Sequence, residues 1–235
     1  MTLPVAILAG GLATRLGPIS QTIPKALLDV AGKPFLVHQL ALLRAAGIRR
    51  VVLCIAHLGD QIEAVVGDGR ALGIEVGYAH DGGKLLGTGG ALRQALPLLG
   101  DRFLVLYGDS YLTCDYADVI RAFEHSGKRG LMTVFKNDGQ YDTSNVEYRD
   151  GRIVCYDKSV RSPAMTHIDY GLGALTSEAL VGYRAEQRLD LATVYHDLLA
   201  RDQLAGYEVA DRFYEIGSPA GLEDTRRLLA GKGRT

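Results

Sequence analysis

Residues 6–30 read AILAGGLATRLGPISQTIPKALLDV, and they set two cations, Arg15 and Lys25, close behind the paired glycines Gly10 and Gly11. Glycines carry no Cβ, so their backbone N–H groups can approach a ligand closely. Consecutive N–H groups beside a planar guanidinium suit phosphate oxygens, and a lysine adds a mobile point charge. A tight turn with surface cations would account for the glycines alone. It does not account for the glycines, Arg15, Pro24-Lys25 and the GKP of residues 32–34 together. Asp109 follows Gly108 at the end of the apolar run VLYGD, where its hard oxygens are well placed for Mg²⁺. Asp169 lies inside the apolar run HIDYGLGALT, and an unpaired carboxylate there would be costly, so it must face a ligand or be hydrogen-bonded. Two familiar phosphate motifs are absent. There is no GxxxxGK[ST], and GTGGAL puts Leu92 where the third glycine of GxGxxG belongs.

The elements that must carry these residues follow from hydrophobic patterning. Uninterrupted apolar runs at 5–9, 50–56, 74–79 and 103–108 predict strands buried on both faces. Helical patterns lie between them at 35–47, 60–73, 89–100 and 115–127, each ending near a glycine. This alternation predicts an α/β fold, a Rossmann-like, mostly parallel sheet with helices on both faces. After residue 130 come further strands, at 129–136, 144–158 and 167–176, with RDGR (149–152) as a hairpin turn, and a last helix at 218–231 with Ser218 as N-cap. These extend the same sheet with a small β subregion. The reading is one domain over 1–235, with the pattern changing at about residue 130.

Bulk properties narrow the partners. Lys+Arg 26 against Asp+Glu 27 leaves a net charge of -1, which argues against a general electrostatic grip on nucleic acid or anionic membranes. Cys54, Cys114 and Cys155 are scattered and fit neither a disulfide framework nor a zinc cage. Without a signal-like segment or a bilayer-length apolar run, the expected location is the cytoplasm. The six histidines show no HxxxH or HExxH pairing.

The stretch LAGGLATRLGPISQTIPKALLDVAGKP resembles the signature of the sugar-phosphate nucleotidyltransferases, roughly LAGGxGTRLxPxTxxxPKxLxxVxGKP, with Ala13 in place of the third glycine. Five further segments resemble elements of that family: LLGTGGAL (85–92), VLYGDSYL (105–112), NVEYRDGRIVCYDKS (145–159), IDYGLGAL (168–175) and RFYEIGSPAGLEDT (212–225). The resemblance implies condensation of a nucleoside triphosphate (NTP) with a sugar 1-phosphate, giving a nucleotide-sugar and pyrophosphate. It implies Arg15 and Lys25 as catalytic cations and Mg²⁺ held by Asp109 and Glu215, the latter a departure from the usual aspartate. It implies Leu8, Ala9, Gly10, Gly11, Ala13, Thr14, Asp81, Gly87 and Thr88 around the nucleotide. Asn145, Asp157, Lys158, Asp169 and Gly171 would surround the sugar phosphate. Asn145 stands where many members have glycine.

Within the family the chain most resembles the small bacterial D-glycero-α-D-manno-heptose 1-phosphate guanylyltransferases, so GTP and a heptose 1-phosphate are the expected substrates. Mannose-1-phosphate guanylyltransferases, N-acetylmuramate 1-phosphate uridylyltransferases and glucose-1-phosphate thymidylyl- or uridylyltransferases are alternatives. A nucleotide-sugar-binding regulatory domain is the non-enzymatic one. Relatives are often dimers or larger, so a homodimer is the assembly the resemblance suggests.

Overall fold

The computed structural model describes residues 2–11 and 22–232 of the chain. In chain order the elements are β1 (Val5–Leu8), β2 (Asp29–Val30), β3 (Lys33–Pro34), α1 (Phe35–Ala45), β4 (Arg50–Ile55), α2 (Gly59–Val66), β5 (Glu75–His80) and α3 (Gly87–Leu99). There follow β6 (Arg102–Tyr107), β7 (Ser110–Leu112), α4 (Tyr116–Ser126), β8 (Gly130–Lys136), β9 (Val146–Arg149), β10 (Arg152–Tyr156) and β11 (His167–Thr176). The last four are α5 (Leu191–Ala200), β12 (Leu204–Val209), β13 (Phe213–Glu215) and α6 (Pro219–Lys232).

Nine strands form one sheet in the order β10-β9-β11-β6-β1-β4-β5, with β8 paired to β11 and β12. The block β6-β1-β4-β5 is parallel, and β11 joins it antiparallel to β6. The fold is thus mixed α/β, with a central, mostly parallel sheet flanked by helices. Alternation along the central strands sorts side chains between two cores. Val5 and Ile7 point to one side with Leu36, Leu40, Ile62 and Val119, so α1, α2 and α4 cover that face. Ala6, Val52 and Cys54 point to the other with Leu92, Ala95 and Val194, under α3 and α5. Each fully buried Leu or Ile contributes about 1.5–3 kcal/mol relative to exposure. A third, smaller cluster of Leu28, Val30, Phe35, Tyr111, Ile216 and Leu229 ties α6 and the β7–β13 ribbon beneath the loop that carries Lys25. No helix among the described residues is long and apolar enough to cross a membrane.

Several boundaries differ from expectation for identifiable reasons. The helix expected over 60–73 stops at Val66, because Gly67 and Gly69 take φ of 57° and 77°, and a single 3-10 turn follows at Arg70–Leu72. The RDGR turn forms as expected, with Asp150 at φ 51° and Gly151 at φ 76° joining β9 to β10. Ser218 does cap α6, its Oγ accepting the Gly221 N–H at 3.0 Å. The strands β7, β12 and β13 and the helix α5 were not expected. The strands have only three to six residues, while α5, LATVYHDLLA, is largely apolar behind its Asp190 N-cap.

Candidate active site

A cavity of about 320 Å³ opens at the carboxyl ends of β1, β4 and β6, where open α/β sheets bind ligands. Its lining includes Leu8, Ala9, Gly10, Gly11, Lys25, Asp81, Gly87, Thr88 and Asp109, so these expected residues are brought together. Ala13, Thr14 and Arg15 lie outside the described residues. A Cβ on Gly11 would meet nothing within 4 Å, whereas one on Gly10 would stand 3.1 Å from the Ala56 Cβ. Gly108 is where the bare backbone is strictly required. A Cβ there would sit 2.5 Å from the Leu8 carbonyl oxygen and push β1 away from β6.

Lys25 donates to Asp109 Oδ2 at 3.0 Å, with side-chain exposures of 18% and 33%. The third charged partner is Glu215. A Cβ built on Gly217 would lie 2.8 Å from Glu215 Oε2, 3.1 Å from Asp109 Oδ2 and 3.4 Å from Lys25 Nζ, so all three groups converge on one small space. The Glu215 carboxylate turns toward the start of α6, where it accepts from the Gly217 and Ser218 N–H groups and from Ser218 Oγ. A carboxylate at a helix N-terminus is stabilised by the amides and by the helix dipole. That position accounts for the longer side chain, since Glu215 both reaches the convergence point and caps α6.

Two hard-oxygen carboxylates fit a divalent cation that takes its other ligands from phosphate oxygens and water, the usual habit of Mg²⁺. Among the described residues no group of three or more His, Cys, Asp or Glu could hold a metal by itself. Asp109 is the freer of the two, because its Oδ1 receives only a long 3.5 Å contact from Ser110 Oγ.

The glycine-rich start of α3 has an unexpected partner. Leu189 O accepts from both Gly89 N–H (2.9 Å) and Gly90 N–H (3.1 Å), and Leu189 N–H donates to Leu86 O at 2.8 Å. Thr88 Oγ1 accepts from Leu191 N–H at 2.8 Å and lies 3.4 Å from Asp190 Oδ1. Gly87 has φ 74°, and a Cβ there would stand 2.6 Å from Leu189 O. The segment before α5 is therefore latched onto this turn, and it sets Arg188 on the wall of the cavity. Sequence reasoning missed Arg188, which sits in a polar run with no motif around it. Opposite, Asp81 accepts the Leu86 N–H at 2.9 Å; burial raises its pKa, partly offset by that hydrogen bond. Cys54 also lines the cavity, and burial, helped by the nearby Asp81 charge, pushes its thiol up to about 12.

Among the residues expected around the sugar phosphate, β11 carries an irregularity against β8 between Asp169 and Gly173, where Gly171 takes φ 97°. Such a bulge re-aims a side chain. Asp169 Oδ1 accepts the Gly171 N–H at 3.1 Å, and Oδ2 accepts from Tyr107 Oη at 3.0 Å and Tyr156 Oη at 3.4 Å. Asn145 Oδ1 accepts the Asp169 N–H at 2.9 Å, tying the start of β9 to β11. Burial raises the Asp169 pKa, opposed chiefly by the charge of Lys158. Lys158 Nζ lies 5.6 Å from the ring centroid of Tyr107 and 6.0 Å from that of Tyr156. Asp157 does not face Lys158 as an ion-pair partner. Its Oδ1 accepts the Ser159 and Val160 N–H groups at 2.7 and 2.8 Å, which lowers its pKa.

The chain is similar to known proteins along most of its length. The nucleotidyl transferase family profile matches residues 5–145. N-acetylmuramate alpha-1-phosphate uridylyltransferase of Neisseria meningitidis serogroup B is 45% identical over 228 residues, covering 94% of this chain and 96% of that protein. Mannose-1-phosphate guanyltransferase beta-B of Xenopus laevis is 29% identical over 91% of this chain, which spans 61% of that longer protein. Among solved structures, a putative glucose-1-phosphate thymidylyltransferase from Bacillus anthracis superposes with a TM-score of 0.84 at 21% identity, covering 97% of this chain and 96% of that one.

Proposed function

This chain belongs to the nucleotidyl transferase family as a sugar-phosphate nucleotidyltransferase, and on that premise we propose that it joins UTP to N-acetylmuramate α-1-phosphate. The observation behind the reaction class is the convergence of Lys25, Asp109 and Glu215 on one space beside the glycine-lined cavity. The observation behind the substrates is the 45% identity to a uridylyltransferase across nearly the whole of both chains. The pairing expected from sequence, GTP with a heptose 1-phosphate, becomes the second reading. The 29% identity to a mannose-1-phosphate guanyltransferase favours guanine.

A phosphate oxygen of the sugar 1-phosphate attacks the α-phosphorus of the NTP. The bond from that phosphorus to the bridging oxygen breaks, and pyrophosphate leaves with the electron pair. No protein nucleophile is needed, so catalysis consists of gathering anions and stabilising charge that grows on phosphoryl oxygens. Lys25, held at the cavity mouth by Asp109, serves the α-phosphate and the attacking phosphate. Arg15 serves the leaving pyrophosphate, and Lys158 anchors the sugar-borne phosphate. Asp109 and Glu215 would hold Mg²⁺, which when bound offsets phosphate charge. Arg188 adds positive charge where the N–H groups of Gly89 and Gly90 are already spent on Leu189. In this reading residues 1–130 serve mainly the nucleotide and 131–235 mainly the sugar phosphate, with Arg188 and Glu215 crossing between them.

The test is pyrophosphate release with Mg²⁺, each NTP being paired with N-acetylmuramate, mannose, heptose and glucose 1-phosphates. Turnover with UTP and N-acetylmuramate 1-phosphate alone supports the proposal. Turnover confined to GTP replaces it with the second reading, and nucleotide binding without any release would favour a regulatory domain.

A further inference from the structure

Lys158 follows the end of β10 as an exposed side chain, and among the described residues no carboxylate pairs with it within 4.0 Å. Its nearest candidate, Asp157, is committed to two backbone amides of its own loop. What lies beneath Lys158 instead is a built surface. The faces of Tyr107 and Tyr156 are 5.6 and 6.0 Å from its Nζ, within the range at which a cation is drawn to an aromatic ring. Both tyrosine hydroxyls donate to Asp169 Oδ2, whose charge acts through them toward the ammonium.

This surface is braced from behind. Tyr195 of α5 packs edge-on to Tyr156 at 6.0 Å, and His196 Nε2 donates to the Tyr156 carbonyl oxygen at 2.7 Å. The bulge at Gly171 fixes the carboxylate of Asp169 from the other side. A direct ion pair would neutralise Lys158. Ring faces and a carboxylate behind them draw the ammonium without committing its N–H groups to an ion pair.

We propose that Tyr107, Tyr156 and Asp169 form a seat that positions the Lys158 ammonium for the sugar-borne phosphate. The proposal rests on the assignment of Lys158 made above. Asp169 and Tyr156 are thereby positioning residues that act through Lys158, without contact to the reacting atoms.

The experiment is steady-state kinetics on the Mg²⁺-loaded enzyme with the sugar 1-phosphate and NTP that it turns over, KM being measured for each substrate. Lys158→Met is expected to raise KM for the sugar 1-phosphate about tenfold, the worth of one charge-assisted contact, with KM for the NTP unchanged. Asp169→Asn is expected to raise the same KM about threefold to fivefold, and the double variant to be no worse than Lys158→Met alone, since coupled residues do not add. Multiplied effects in the double variant would show that Asp169 acts on the substrate itself and would overturn the seat while leaving the role of Lys158 intact. A Lys158→Met enzyme with unchanged KM for the sugar 1-phosphate would overturn both. If Asp169→Asn fails to fold, Tyr156→Phe replaces it in the same cycle, because it removes one hydroxyl from Asp169 and keeps the ring.

Discussion

In the proposed function the site has an end for the nucleotide and an end for the sugar phosphate, and the two handle charge in opposite ways. At the nucleotide end, Lys25 and Asp109 form an ion pair 3.0 Å long at the mouth of the cavity, and Glu215 joins them across Gly217. Opposite charges stand ready to be redistributed when phosphates and a metal arrive. At the sugar end the carboxylate is withdrawn. Asp169 is enclosed by two tyrosine hydroxyls and an amide, and its cation, Lys158, stays unpaired above the rings. The first arrangement suits a triphosphate that must be cleaved, where charge moves during the reaction. The second suits a phosphate that must be held, where a standing positive charge is enough.

If that contrast is right, changes at the nucleotide end strike turnover. Asp109→Asn and Lys25→Ala should each lower kcat on the order of 100- to 1,000-fold, as for loss of a group that stabilises transition-state charge. Pyrophosphate release at saturating substrates measures it, and wild-type turnover by Lys25→Ala would erase the contrast. Gly217→Ala should cost on the order of 10- to 100-fold in kcat/KM by displacing all three convergent groups. A melting temperature close to wild type in the same variant would locate the loss in the site. Arg188→Ala is expected to raise KM for the NTP about threefold to tenfold, with a deficit that shrinks as salt is added. Gly87→Ala sharpens the comparison on stability, because its Cβ would strike Leu189 O in a left-handed backbone conformation. A loss of about 1–3 kcal/mol is expected by thermal melting. The smallest effect concerns thiols. Cys54 and Cys114, both buried and pushed up to about 12, should resist alkylation at pH 8, while half-exposed Cys155 reacts. Labelling of Cys54 at that pH would mean that the cavity floor opens.

Legibility from sequence divides along the same line. The nucleotide end is built from the ends of strands whose apolar runs are continuous and whose glycines stand beside the functional residues. Gly10, Gly11, Gly108 and Asp109 could therefore be marked as candidates by position, and the neighbouring cations and motif set them apart from a simple tight turn. Lys25 belongs to a motif long enough to be recognised. At the sugar end, Asp169 was legible as a carboxylate needing partners, but not which partners. Tyr107 and Tyr156 are separated from it by 62 and 13 residues, and their segments drew notice for Asp109 and Lys158 rather than for the tyrosines. Arg188 and α5 were missed because the latch onto the start of α3 spans about a hundred residues and uses backbone carbonyl and amide groups, which every residue possesses. Asp157 illustrates the opposite failure. Its spacing beside Lys158 suggested a shared role, whereas local amides claim its carboxylate first.

The hydrogen bonds from Gly89 and Gly90 to Leu189 also bear on how such enzymes can be recombined. A chimera that joins portions of two relatives keeps this fastening only where positions 87, 89 and 90 remain glycine and position 88 keeps a hydroxyl, because a Cβ at any of those glycines would strike Leu189 or the Gln187 carbonyl. The donor of the 187–191 segment is otherwise free, since its backbone makes the remaining bonds whatever its side chains.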